Sequence, residues 1–418
     1  LIGIPVNGEV VNDVDDQLST NGGKSAIGYW DNDKSGGAGW VTFNTGSTLS
    51  NELIPTRGYE IMRSSEGGVE FQGTMLNTDQ NQAITTESGT NGNWNLVGNP
   101  YLSFLNLTDD SGDASNNFLT VNSAALGNGA YVAVYAWDGT SYDTYNQADG
   151  DSQDKVAPGD GFFVYASSDT NVSFTEAMQT HDNGSGFVGS IAGGSLSNTS
   201  RESFFKVSMS DGVEKKHLLI SFADKSTKAL DPGYDAGMLT MGNSHIYTRL
   251  IEGDKEFKLS IQSLPYNDLN GVVLPVGIDS KSSVLTLDVI KNTVPKNTSV
   301  YLEDRVLNTF KELTKDYTIT SDSGLNGYGR FYLHFTTELI PELPTDGSLR
   351  VFKVSEGSIR LIGRSGKFYN AKIFDFTGRL IKELVFNHKT DVDSLKNGVH
   401  ILHIIENSSV TVKKFVVD

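Results

Sequence analysis

The chain has 418 residues, enough for roughly three domains that each bury a core. Its 33 Lys and Arg against 51 Asp and Glu leave a formal charge of −18, which disfavours nucleic acid as a partner, and the absence of Cys excludes a disulfide framework, thiolate metal sites and thiol nucleophiles. No run approaches the roughly 18 apolar residues of a membrane-spanning helix, while 44 Gly against 10 Pro, with aromatics at 10%, points to many strands joined by tight turns and an all-β fold class.

The chain opens at Leu1, without Met, inside an apolar run, and reads as beginning within its first structural unit. Leu1-Ile2-Gly3-Ile4-Pro5-Val6 reappears as Leu96-Val97-Gly98-Asn99-Pro100-Tyr101, in each case an apolar strand stopped by a Pro. Tyr29-Trp30-Asp31-Asn32 answers to Ala136-Trp137-Asp138-Gly139, and Pro55 to Ile61 answers to Pro158 to Val164. Val69 to Met75 likewise answers to Val172 to Met178. The offsets of 95, 107, 103 and 103 put the variation in loops, where insertions cost least. Two tandem β units are therefore expected, 1–80 (truncated at its start) and 93–180, both alternating with period two and with little helical pattern. Residues 181–200, rich in Gly and Ser, read as a flexible connector.

From 201 to 337 the strands lengthen and alternate, with Ser210-Asp211-Gly212 as a hairpin signal. Strands are expected at Lys258 to Ile261, Val284 to Ile290, Val300 to Glu303, Tyr317 to Thr320 and Phe331 to Phe335, forming an antiparallel sandwich. Pro341 and Pro344 mark a second linker. Residues 348–418 form a short, strand-dense tail whose last runs are Val399 to Ile405 and Val410 to Val417, the size of a seven-stranded sandwich.

That tail carries a recognisable order of segments: Ala371 to Asp375 leading into Phe376-Thr377-Gly378-Arg379, then Asp391 to Gly398, then Lys413-Lys414-Phe415-Val416-Val417. It resembles the type A C-terminal sorting domain of proteins exported by the type IX secretion system of Bacteroidota. It departs from the family's opening strand at Val351-Phe352-Lys353-Val354 and again at His400. Upstream, Asn95 to Tyr101, Gly161 to Val164 and Tyr301 to Asp304 look like the stalk region of large flavobacterial surface proteins. The resemblance implies tandem β-sandwich-like domains ending in a small Ig-like sorting domain. It also implies a secreted protein of the cell surface, associated with the outer membrane, whose partners are the shuttle barrel and translocon and a sortase-like peptidase. On this reading the recognition surface comprises Asp375, Gly378, Asn397, Gly398, Lys413, Lys414, Phe415 and Val417. Turn chemistry alone also accounts for the glycines, because tight hairpins need positive φ. The terminal strand offers an unpaired edge that a partner can grip by strand addition.

Other residues invite chemistry. Asp31, Asp33 and Ser35 place oxygens at alternate positions with Gly36 sixth, as a calcium loop would, but the twelfth position is Thr42 and helices are missing. Solvated turn residues are the competing reading, so no cofactor is expected. His400 and His403 fall on opposite strand faces and could not easily share zinc. No nucleophile elbow, phosphate loop or spaced carboxylate pair appears, so the chain is expected not to be an enzyme. Trp30 and Trp137 hold equivalent places in the copies and are candidate glycan contacts, with core packing the favoured reading for both. The expected function is an adhesin or stalk-like surface protein. The alternatives are the non-catalytic end of a larger secreted polysaccharide-degrading enzyme, or a glycan-binding module.

Overall fold

The alternation in the sequence is realised as strand almost throughout: in a computed structural model 52% of the described residues are strand and 5% helix. The structure describes all residues except 35–38, 46–51, 90, 109–114, 128, 149–153, 182–200, 254–255, 308, 315, 338–348, 356, 363–367, 388, 407–408 and 418. The residues divide into two units, Leu1–Thr298 with Leu313–Tyr328 and Phe335–Thr337, and Ser299–Glu312 with Gly329–His334 and Glu338–Asp418.

Within the first unit the two sequence copies fold alike. Lys24–Trp30 is central in the first copy, between Trp40–Asn44 and Tyr59–Ile61, and Val134–Trp137 takes that place in the second, between Tyr142–Tyr145 and Gly161–Tyr165. The register repeats as well. Ile2 bridges Tyr59, which pairs with Tyr29; Val97 pairs with Phe162, which pairs with Ala136. Ile4, Val11, Val14, Ile27, Leu53 and Tyr59 are buried together in the first copy, and Val97, Leu105, Phe118, Phe162 and Phe174 in the second. The copies also exchange contacts reciprocally: Ile2 bridges Asp160 of the second copy, and Val97 bridges Arg57 of the first.

The sequence units 1–80, 93–180 and 201–337 are not separate bodies at their junctions. Trp30, Trp94, Tyr135, Phe163, Phe204, Leu219 and Ile261 share one buried cluster, because the open side of each copy still carries large apolar side chains that must leave water. Most of the expected connector, 182–200, lies outside the described residues. Beyond it, Glu202–Ser210 and Lys215–Ala223 form a hairpin whose turn puts Gly212 at φ +89, while the Asp211 carboxylate accepts the Val213 and Glu214 N–H groups. Val284–Asn292 and Tyr317–Thr320 continue that sheet in antiparallel fashion.

The expectation of purely antiparallel pairing needs correction. Lys215–Ala223 runs parallel to Leu259–Pro265, with Leu219 opposite Ile261, and Tyr142 meets Lys216 in parallel. Parallel partners need a long crossover, which the chain between Ala223 and Leu259 supplies and which local turn signals do not reveal.

In the second unit Ser299–Asp304 and Thr309–Glu312 form a hairpin. Arg330 grips the Asp304 carboxylate through Nε and Nη2, and His334 Nε2 lies 2.8 Å from Glu303 Oε2. The tail is a sandwich. One sheet joins Arg350–Ser355, Ser358–Ile362 and Lys389–Val392; the other runs in the order Leu380–Asn387, Phe368–Asp375, Gly398–Glu406, Ser409–Val417. Period-two alternation turns Ile359, Leu361 and Val392 of the first sheet toward Tyr369, Ile373, Phe386, Leu402, Ile404 and Val417 of the second. The linker expected at Pro341 and Pro344 lies outside the described residues.

Candidate functional site

The residues singled out in the tail converge at one end of its four-stranded sheet. Asp375 closes its strand opposite His400, His400 lies opposite Phe415, and Gly398 lies opposite Val417, so the two turns and the chain's last strand meet. At the first turn the Asp375 carboxylate accepts the Thr377 hydroxyl, the Thr377 and Arg379 N–H groups and the Arg379 guanidinium. The Thr377 hydroxyl bond is the largest reason that this carboxyl sits below the usual carboxylate range. Gly378, at φ +85, lets the chain reverse so that its N–H reaches the Asp375 carbonyl at 3.0 Å. Gly398, at φ +137, opens the strand that follows exposed Asn397.

Along the terminal strand the faces alternate. Phe415 turns inward and stacks on His400 at 5.4 Å, and Val417 is buried. His400 also has its Nε2 2.8 Å from the Lys396 carbonyl, which ties the Asn397–Gly398 loop to the strand. Lys414 is exposed beside Val412 and Val416 on the outer face, whereas Lys413 is half-buried. His403 sits on the face opposite His400, against Phe374 at 4.7 Å. In the sequence His400 stands out as a departure from a family pattern and as one of the His400–His403 pair; its linking role emerges only from the cross-strand register.

The remaining candidates lie in the first unit. Trp30 is 8% exposed, meets Phe163 edge-on at 5.2 Å, and donates its Nε1–H to the Trp94 carbonyl at 2.9 Å. Trp137 departs from the core expectation at 42% exposed, touching Tyr142 at 5.0 Å. The physical reason is that Trp30 is capped by Trp94 and Phe163 of the other copy, while Trp137, at the equivalent strand end, meets Tyr142 of its own copy. Asp31 accepts the Asp33 N–H in a turn, and Ser35 lies outside the described residues. Among the described residues no three His, Asp or Glu side chains are grouped to hold a metal ion.

Two features went unread in the sequence. Asp143 is buried with Lys206 Nζ at 2.5 Å and His217 Nδ1 at 3.3 Å. Burial alone would raise its carboxyl, but the Lys206 ammonium and then His217 more than reverse this and hold it well below the usual range. A polar cleft of about 390 Å³ opens beside Trp30 and includes Tyr29, Asp31, Asp33, Arg57 and Glu87. Tyr29 lies on a strand and Arg57 two residues before the strand Tyr59–Ile61 that pairs with it, so the Tyr29–Tyr59 register brings them together and no local motif announces them.

Comparison with known proteins bears on both parts of the chain. Residues 355–418 match the family model described as Secretion system C-terminal sorting domain, so the chain is a type IX secretion cargo with a C-terminal sorting signal and is exported. No curated protein matches. A solved structure titled as a polysaccharide lyase aligns over 52% of this chain and 39% of its own, at 10% identity and TM-score 0.17, values too low to support any argument. This chain thus spans well under half the length of that protein. Residues 4–335 match the model described as Domain of unknown function (DUF8693), and by that match the chain belongs to this family.

Proposed function

We propose that the chain is a non-enzymatic binding protein displayed at the cell surface, in which the body meets its ligand and the tail delivers it there. One observation bears most of the weight: the tail has a core of its own, and its last strand, Ser409–Val417, is an edge strand of its sheet. An edge strand presents unpaired N–H and C=O groups along one side, and the alternation here adds Val410, Val412 and Val416 on an exposed face. The shuttle barrel of the outer-membrane machinery grips this strand together with the Asn397–Gly398 turn, and a sortase-like peptidase and the translocon act on the same domain. Adhesion is the role of the body, with surface glycans as its partners. Support for a non-catalytic body comes from two carboxylates held in structural ion pairs: Asp143, largely covered, with Lys206 and His217, and Asp279, half-buried, with Lys258.

Fusing residues 349–418 to an inert reporter in a bacterium with a working type IX system tests this reading. The reporter is expected outside the cell, and removing Ser409–Val417 is expected to trap it. A full-length fusion retained in the periplasm overturns the role given to the tail.

A further inference from the structure

We propose that the cleft formed by Tyr29, Arg57, Asp31, Asp33 and Glu87 is a binding site for a neutral saccharide. This deepens the adhesive reading given above and rests on it only for the biological setting. The cleft is about 390 Å³, within the range of roughly 300–1,000 Å³ typical of sites for small molecules. Its floor is rigid. Asn32 donates to the Thr85 and Gly92 carbonyls, both at 2.8 Å, and accepts the Thr85 hydroxyl at 3.1 Å. Asn95 donates to the Thr85 carbonyl and accepts the Thr85 N–H, and Gln82 accepts the Thr56 hydroxyl. A floor with its amides already engaged leaves recognition to the walls and loses little freedom when a ligand arrives.

The walls supply both signs of hydrogen bonding. The Arg57 guanidinium lies over the Tyr29 ring, 4.5 Å from its centroid, and among the described residues it makes no ion pair or hydrogen bond. It therefore presents a flat fork of donors that is already oriented. Asp31, Asp33 and Glu87 line the same space and bring acceptors. A saccharide hydroxyl both donates and accepts, so vicinal hydroxyls can bridge a carboxylate and a guanidinium, while the C–H face of a sugar packs on a flat aromatic or guanidinium surface.

Charge selects within that class. One guanidinium stands against three carboxylates, on a chain whose formal charge is −18. A uronate chain, a sulfated glycan or a nucleic acid would meet net repulsion, and a cationic peptide would have Arg57 facing it. A neutral sugar meets neither penalty.

The test is calorimetric titration of the full chain with cellohexaose, xylohexaose, mannohexaose and laminarihexaose, with an oligogalacturonate and an oligolysine as the charged comparators. At least one neutral hexasaccharide is expected to bind, and Arg57→Ala and Asp33→Asn are each expected to weaken it about tenfold or more, the scale of losing a hydrogen bond to a charged group. Asp33 is exposed, so Asp33→Asn remains informative even if Arg57→Ala perturbs folding. The proposal is overturned if none of the four neutral sugars binds, if either charged comparator binds more tightly than all of them, or if binding survives Asp33→Asn unchanged. Failure here with normal export of the reporter leaves the tail's role standing, so the two readings fall separately.

Discussion

Gly3 and Gly98 face each other across the junction of the two copies, each at the same position in its own repeat. A Cβ added to Gly98 would lie 2.6 Å from the Gly3 Cα, and one added to Gly3 would lie 3.0 Å from the Gly98 Cα and 2.9 Å from the Asp160 carbonyl oxygen. The bonds around them are reciprocal: Gly3 N–H donates to the Gly159 carbonyl at 2.9 Å and Gly98 N–H to the Thr56 carbonyl at 3.0 Å. Gly159 and Thr56 are themselves equivalent positions, so the copies are related by a local two-fold pattern in which each one's first strand completes the other's turn. Neither glycine has a positive φ, so the requirement is for space and not for backbone freedom.

Substitution at this junction is therefore expected to be costly. Gly98→Ala should destabilise the chain by about 1–3 kcal/mol or more, because backbone atoms on both sides must move apart. Gly68→Ala, where a Cβ meets nothing within 4 Å, should stay within about 0.5 kcal/mol. Denaturant midpoints of the two variants compare these directly, and equal midpoints would remove the steric account.

The two repeat tryptophans should part company in the same kind of measurement. Trp30→Ala removes a buried ring and its bond to the Trp94 carbonyl, and about 3–5 kcal/mol should be lost. Trp137→Ala takes away a ring that is 42% exposed and should leave the fold intact with a loss of about 1 kcal/mol or less. Comparable losses for the two would mean that Trp137 is packed against something beyond Tyr142.

Asp235 gives stability a dependence on pH. Burial pushes its carboxyl up to about 7 from an ordinary 3.8, partly opposed by the N–H groups of Asp231 and Ser263 that it accepts. The folded protein keeps a proton that the unfolded chain has released, so this group's contribution declines as pH rises from 3.8 to about 7, by at most about 1.4 kcal/mol per pH unit. His245, lowered by burial, acts oppositely below its ordinary 6.5, so the wild-type curve alone does not isolate Asp235. The stability difference between wild type and Asp235→Asn does. It should shift against wild type by about 2 kcal/mol between about pH 5 and pH 7, and a difference independent of pH would dismiss the role.

Much of this architecture was legible in the order of residues. The repeat offsets place Ile2, Tyr29 and Tyr59 in correspondence with Val97, Ala136 and Phe162, and the paired register repeats in the same correspondence. Strand limits set by alternation and Gly turns came within a few residues, as at Tyr317–Thr320 and Val284–Asn292. What stayed hidden depends on partners distant in sequence. The parallel pairing of Leu219 with Ile261 follows a long crossover, and the exposure of Trp137 reflects the lack of a cap that Trp30 receives from Trp94. The cleft needs Arg57, just before the strand that pairs with Tyr29, to lie over the Tyr29 ring. In the tail, Asp375 and Gly398 were readable as turn residues, whereas their meeting with Phe415 and Val417 at one end of the sheet follows from strand order.

The Asp143–Lys206 pair offers a test in which the sign of a pH effect and the logic of burial must agree. Both side chains are largely covered, 13% and 18% exposed, so removing Lys206 leaves the Asp143 carboxylate largely out of water with only His217 Nδ1, at 3.3 Å, beside it among the ion pairs described. Lys206→Met should cost about 3 kcal/mol near neutral pH, whereas Lys206→Met combined with Asp143→Leu should recover most of that loss, because an apolar pair needs no compensation. Because the folded carboxyl is held below its ordinary value, its stabilising contribution is present above an ordinary 3.8 and disappears as pH falls through the lower folded value. The gap between wild type and Lys206→Met should therefore be widest above about pH 5 and narrow steadily on acidification below about pH 4. A gap that stays constant into acid would show that Lys206 contributes through its aliphatic stem and not through the charge it holds against Asp143.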